Sequence, residues 1–571
     1  MKPVKTKRRT WVAGALTIGA LTACLTACHR AAPSDAPEKP VPSSPAPPPP
    51  GLVADAVVRG PDALWGRLQQ GIAGPLAHLP SGVGGLLAAT AKLDLTLAGE
   101  IDGAAPAYAA MATEERSVGW LVALKLRDLA HARAALLDGQ KPRFTGRAID
   151  GGILVLRPPA GAPLPDPTLA LSPLGYLLVA STEKELAGLA PYATRTLPAR
   201  PPSPHGLVVL ATHAALAGAI DEHLAASLAS LKSAALALDD AERKSHGNKE
   251  PDFGDPSVLV ERTDNYARSK LAILGDLDHA ELTLDADDDE VDVEVSLATG
   301  AGPSAKAFSG YATGNASPLL SVSGESEAAI LMRDDPGTRA DETKSLEEST
   351  VAVLKRALTD KDTAAVHEAF AAWAGARGPW LTVNAELGGA PALTLRSPTA
   401  DEDRAMRAIG DFVDLSNRPI FHQLLAARFS VEGVSTATAA SGAEGSTSIA
   451  TFRRATTRPG KNGEAGEIAV AWAAAGQVLR VGVGASAARA LRATKDADHL
   501  LGSDVRLAGK LGTLRDRAAM VFVLRPNLGP EAEGVRPSAV LGLGRDKSNG
   551  WSLLEVDDAL LRFGLGRWLD P

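Results

Sequence analysis

The chain has 571 residues, a formal net charge of −8, 45% hydrophobic and 4% aromatic residues, and two cysteines. That length admits two to four domains, and the hydrophobic content is ordinary for a globular protein. A net-negative chain lacks the basic footprint that nucleic acid or an anionic lipid surface requires. Both cysteines lie within the first 28 residues, which excludes disulfides, cysteine metal sites and thiol catalysis from the rest.

Lys5-Thr6-Lys7-Arg8-Arg9 precedes an uncharged run from Thr10 to Ala27, a basic start followed by a short apolar core. The run is too short and too rich in Gly, Ala and Thr for a good spanning helix. Leu21-Thr22-Ala23-Cys24 and Leu25-Thr26-Ala27-Cys28 then follow. Both resemble the lipobox of bacterial lipoprotein signal peptides. The resemblance implies cleavage before a cysteine that is diacylated. Cys28 is the preferred anchor, because His29-Arg30-Ala31 gives the mature chain a polar start; Cys24 is the alternative. Removing residues 1–27 takes away Lys2, Lys5, Lys7, Arg8 and Arg9 and no acid, so the charge falls from −8 to about −13. Two or three acyl chains hold a protein on a membrane, each buried methylene adding about 0.8 kcal/mol. Neither cysteine is followed by Asp, so the resemblance implies the outer membrane. Lys7-Arg8-Arg9-Thr10-Trp11-Val12 also resembles a twin-arginine export signal. Residues 28–50 read as a disordered tether: nine prolines between 29 and 50 favour an extended polyproline conformation, at most about 70 Å long.

The body then reads as strands and helices in alternation. A strand is expected at Leu52–Val58 and a helix from Pro61 to Gly71, since Pro fits a first helical turn. Residues 68–91 carry no charge and are broken by Gly74, Pro75, Pro80, Gly82, Gly84 and Gly85. Strands follow near 105–112 and 118–126, then a helix from Asp128 to Leu137. Asp150-Gly151-Gly152 predicts a hairpin between 144–150 and 153–157. Strands at 169–172 and 176–180 lead to a helix from Glu183, a Pro-rich linker at 198–204 and a strand at 206–211. The helix 214–244 has an apolar stripe at Leu216, Ile220, Leu224, Leu228, Leu231, Ala235 and Leu238, stepping at the helical repeat. A helix at 257–274 and a hairpin at 279–299 close the first half.

A comparable order begins again at 327. Strand 327–332, helices 340–358 and 362–375, strands 380–387 and 391–396 and helix 401–413 come first. Polar loops at 433–446 and 456–466 flank strands near 447–454, with 468–474 and 477–483 beyond. A helix from Ala487 and strands near 519–525, 538–544 and 551–556 complete the chain. Arg59 with Pro61 and Arg333 with Pro336 lie 274 and 275 apart, Arg127 and Arg396 lie 269 apart, and the following helices start 273 apart. The expectation is α+β, with mainly antiparallel sheets, helices packed on one face, and two diverged repeats of a strand–helix–helix–hairpin unit. The halves are 51–300 and 318–571, joined by 301–317. This order resembles uncharacterised bacterial envelope lipoproteins built of repeated α+β units, a likeness of pattern that brings no catalytic residue with it.

Ser181-Thr182-Glu183-Lys184 has the Ser-x-x-Lys spacing of penicillin-binding proteins, but the Lys-Thr-Gly companion is missing. Thr182 and Glu185 read instead as a capping box. Asp285-x-Asp287-x-Asp289 resembles the start of a calcium loop, yet Glu290 and Ser296 stand where that loop needs Gly and Glu. Val291, Val293 and Val295 alternating with Asp292, Glu294 and Ser296 read as a half-buried strand. His213 and His223, ten apart on one helix, are three turns distant and cannot share a metal. Gly482-Val483-Gly484-Ala485-Ser486 reads as a strand end with Ser486 as N-cap. No catalytic residue, metal or cofactor is expected.

The expected function is a non-enzymatic, lipid-anchored envelope lipoprotein acting as a binding or scaffold module. Its partners are the membrane, through the acyl chains, and an envelope protein. Two alternatives stand beside it. One is a carrier of a lipid or other apolar ligand, with 68–91 as lid and Gly82, Gly84, Gly85, Leu86 and Leu87 as ligand contacts. The other is an envelope hydrolase whose site residues are scattered along the sequence.

Overall fold

The computed structural model describes residues 44–90, 95–114, 117–138, 144–158, 167–245, 256–287, 289–354, 358–387, 391–429, 431–442, 445–454, 467–485, 487, 491, 500–527 and 536–569. Cys24, Cys28, the signal segment and the tether up to residue 43 lie outside the described residues. Among the described residues are fifteen helices and twenty strands, an α+β composition. They group into two compact units. The first runs to Ala215 and takes in Glu281–Val291 and the segment from Gly564; the second comprises Leu216–Ala280 and Asp292–Phe563.

The first unit opens with β1 (Leu52–Val58). Gly60, with φ of 59°, turns the chain into α1 (Pro61–Ile72). A short 3-10 turn leads to α2 (Val83–Thr90) and α3 (Leu95–Glu100). β2 (Ala107–Glu114), β3 (Ser117–Lys125) and α4 (Leu129–Leu137) follow. Asp128 caps α4 by accepting from the His131 N–H at 3.0 Å. β4 (Thr145–Ile149) and β5 (Ile153–Arg157) make the expected hairpin. β6 (Thr168–Ser172), β7 (Tyr176–Ala180), α5 (Glu183–Pro191) and β8 (Leu207–Thr212) complete the unit's main sequence. The strand order is β8–β1–β2–β3–β7–β6–β5–β4, antiparallel throughout.

Helices cover both faces of this sheet, which corrects the expectation of one. Leu186, Leu189 and Ala190 of α5 pack with Tyr108, Ala110, Leu121, Ala123, Leu178 and Ala180. Leu87, Leu97, Ala132 and Leu136 of α2, α3 and α4 pack with Leu124, Leu126, Leu177 and Val179, which point to the other side. All five residues of β7 are buried. A continuous apolar run such as Tyr176–Ala180 is the signature of a strand covered on both faces.

In the second unit α6 (Asp221–Ser245) and α7 (Pro256–Gly275) form a helical hairpin, tied by the Lys232–Asp264 ion pair at 3.1 Å. β9 (His279–Ala286) and β10 (Glu290–Ala298) follow, with Glu281–Val291 within them belonging to the first unit, then α8 (Pro303–Ser309), α9 (Ser317–Leu320) and β11 (Ala328–Arg333). α10 (Pro336–Leu354) and α11 (Asp360–Ala376) lead to β12 (Trp380–Glu386) and β13 (Ala392–Pro398). Next come α12 (Glu402–Ser416), capped by Asp401, and α13 (Pro419–Phe429). β14 (Val431–Gly442), β15 (Gly445–Arg454), β16 (Glu467–Ala475) and β17 (Val478–Gly484) form a meander. α14 (Val505–Thr513), β18 (Ala518–Leu524), β19 (Ala539–Asp546), β20 (Asn549–Asp557) and α15 (Asp558–Leu569) end the chain.

The strand order here is β10–β20–β19–β18–β11–β12–β13–β17–β16–β15–β14. Again both faces are covered: α11 and α12 pack on Leu395, Leu479 and Val481, while α9 and α14 pack on Leu331, Val521 and Val540. Most of the expected loop 433–446 is strand β14. Its Gly, Ser, Thr and Ala residues give no alternation of large apolar side chains, and its order comes from pairing with β15. No helix among the described residues is long and apolar enough to cross a membrane.

Candidate functional site

The five expected ligand contacts lie in and just before α2. The Asp62 carboxylate accepts from the Val83 N–H at 2.8 Å, so it anchors the start of α2. Gly82 lies against that carboxylate. A Cβ on Gly84 would stand 2.5 Å from the Ala98 carbonyl oxygen, and one on Gly85 would stand 2.7 Å from Pro80 Cβ. Gly84 thus lets α2 approach α3 closely. Leu87 is in the core, and the Leu86 N–H bonds the Gly82 carbonyl. Residues 68–90 therefore make the end of α1, a 3-10 turn and α2, and residue 91 lies outside the described residues.

The other sequence motifs resolve into structural roles. Thr182 caps α5 by accepting from the Glu185 N–H at 3.1 Å, and the Ser181 hydroxyl is engaged with the Trp120 backbone. Glu183 pairs with Arg147 and Arg157. The acidic cluster is dispersed: Asp285 binds the His205 ring at 2.7 Å and the Gly206 N–H at 2.8 Å, Asp287 faces Arg67, and Glu294 accepts from Trp551 Nε1 at 2.7 Å. His213 and His223 are both exposed. Ser486 lies outside the described residues. Among the described residues no three His, Cys, Asp or Glu side chains come together as a metal site would need.

Two features that sequence reasoning missed stand out. The first is a row of side chains across the second sheet. Directly opposed residues run Val521–Leu331–Thr382–Arg396–Arg480–Ala473. Val521 and Leu331 belong to one apolar cluster and Ala473 to another. Between them Thr382 and Arg396 are buried, with Asn384 and Thr394 buried beside them, and Arg480 is half-buried. Asn384 is held by the Ser326 hydroxyl at 2.9 Å. Arg396 donates to the Ser321 carbonyl and, at 2.8 Å, to its hydroxyl. No carboxylate among the described residues pairs with Arg396 or Arg480. Other arginines have one: buried Arg339 and half-buried Arg377 share Asp334 at 3.2 and 2.6 Å, and buried Arg525 holds Asp504 at 2.6 Å. Burial, and then the neighbouring Arg480 charge, push the Arg396 guanidinium down to about 10. In the first unit the row through Ala123 reads Val208–Val57–Tyr108–Ala123–Leu178–Ala170, apolar apart from one phenol. Ala123 and Arg396 each stand five residues before the cap of the next helix, Asp128 and Asp401.

The second feature is the outer face of α6. Leu224, Leu231 and Leu238 are 39%, 48% and 69% exposed, with Leu236 and, on α7, Tyr266 exposed as well. The apolar stripe is read correctly as helical, yet beyond Leu216 much of it meets no core.

No family model, no curated protein and no solved structure matches the chain.

Proposed function

We propose that the protein is a lipid-anchored envelope lipoprotein that works as a non-enzymatic binding and scaffold module, carried on Cys28 by its proline-rich tether. The observation that carries the scaffold reading is the α6 face. Leu224, Leu231 and Leu238 recur every seven residues on one side of a long helix and are exposed to solvent. A seven-residue leucine repeat is the seam by which helices recognise helices. An exposed contiguous apolar face marks an interaction surface in a protein that must stay dispersed. An envelope protein presenting an amphipathic helix is the partner such a face fits. Photo-crosslinking residues at positions 231 and 238, in intact membranes, are expected to trap a discrete partner. Position 505, where Val505 is 85% exposed on α14, is the control. Adducts no different from those at 505 would contradict the reading.

The body of this module is, in the same proposal, an internal duplication. Its support is the pairing order: β8–β1–β2–β3–β7–β6–β5–β4 in one half and β18–β11–β12–β13–β17–β16–β15–β14 in the other. Register agrees as well. Val57–Tyr108–Ala123–Leu178–Ala170 falls on Leu331–Thr382–Arg396–Arg480–Ala473, and Arg59 falls on Arg333, two residues beyond Val57 and Leu331. Arg396 then corresponds to Ala123 and not to Arg127, at an offset that agrees with the helix starts.

A further inference from the structure

We infer that Arg396 and Arg480 form a binding site for an anionic oxygen group, a phosphate or a carboxylate, on a ligand that enters from the Arg480 side. This inference rests on reading the chain as a binding module and supplies its ligand class. It is independent of the lipid anchor and of the α6 face.

Three buried polar atoms on one row lack a hydrogen-bond partner: Arg396 Nε, Arg480 Nε and Thr382 Oγ1. The two arginines are directly opposed in antiparallel register, and Thr382 is directly opposed to Arg396 on its other side. Two like charges brought together out of water, with no acid beside them, are unfavourable unless a counter-charge joins them. An oxyanion meets that need. It accepts from guanidinium N–H groups in charge-assisted bonds whose planar geometry Arg matches and Lys does not. Thr382, opposed to Arg396 on the inner side, adds a hydroxyl donor to the row. Arg480 is half-buried while Arg396 is buried, so the pair has an outer and an inner member. The corresponding row of the first unit shows what this sheet uses when it only has to pack: Tyr108, Ala123 and Leu178, all in its apolar cluster. On the duplication reading, the second half carries a cationic layer where the first has a packing one.

The test is thermal unfolding of the full-length protein in chloride buffer at constant ionic strength, titrated separately with inorganic phosphate and with succinate. Binding to the folded state raises the midpoint with ligand concentration. A saturable rise with phosphate alone assigns a phosphate group, and one with succinate alone a carboxylate. Arg480→Gln, at the outer position, is expected to weaken that response about 10–100-fold, as loss of a bond to a charged group does. Arg480→Lys should restore it only in part. No saturable rise with either oxyanion would overturn the inference. So would a rise undiminished in Arg480→Gln. Neither outcome bears on the anchor or on crosslinking through α6, which have their own readouts.

Discussion

Asp55 sits on β1 with its carboxylate buried in the sheet. Arg200 donates to both of its oxygens at 2.6 and 2.7 Å, and the Tyr192 hydroxyl donates at 2.8 Å. Burial first, and then the bond and charge of Asp55, push the Tyr192 phenol up to about 12. The raised value fixes a sign. The folded state favours the neutral phenol, so its contribution is complete below the unfolded value of 10.0 and is lost as the pH rises towards about 12. Denaturant unfolding across that window is expected to show a steeper loss of stability in the wild type than in Tyr192→Phe. Equal slopes would contradict the assignment. The variant should also be less stable near neutral pH by about 1–3 kcal/mol, because Asp55 keeps its burial and loses a donor. Little of this was legible in the sequence. The strand Leu52–Val58 was readable, but Asp55 draws its partners from 137 and 145 residues away. Arg396 and Arg480 were hidden for the same reason: each looks like an ordinary strand residue until register opposes them. An inward-facing charge in a strand was the one signal available for both sites.

At the scale of elements, local chemistry was read well. Asp128, Thr182 and Asp401 cap the helices expected to follow them, because a cap bonds only to its next three residues. What failed was anything decided by the neighbour. The 433–446 segment is largely strand because β15 pairs with it. The α6 stripe is exposed because its register only states which residues share a face, not whether another element covers them. Glycines divide along the same line. Gly84→Ala would force the α2–α3 crossing apart and should destabilise by about 1–3 kcal/mol. Gly66, inside α1, has nothing within 4 Å of a built Cβ. Gly66→Ala should therefore stabilise by about 0.5–1 kcal/mol. Urea midpoints check both; a destabilised Gly66→Ala or a neutral Gly84→Ala would refute the packing account.

For the whole molecule, the strand–helix alternation legible in the sequence gives the α+β composition of the described residues. Cover on both sheet faces shows in the sequence only as short unbroken apolar runs such as Tyr176–Ala180, whose length does not separate a doubly covered strand from any other. At the N-terminal edge of the described residues, Ala46 exchanges two hydrogen bonds with Thr196, at 2.8 and 2.6 Å. The proline-rich segment therefore meets the first unit four residues before it ends. On the proposed reading, the chain before that point is the tether to a lipid anchor. The account stands or falls on that attachment. The deciding measurement is the intact mass of the protein extracted from its own membranes. The account predicts a chain that begins at Cys28 and carries a diacylglyceryl group. A chain that retains residues 1–27, or one whose Cys28 is unmodified with no acyl group at Cys24 either, would contradict it.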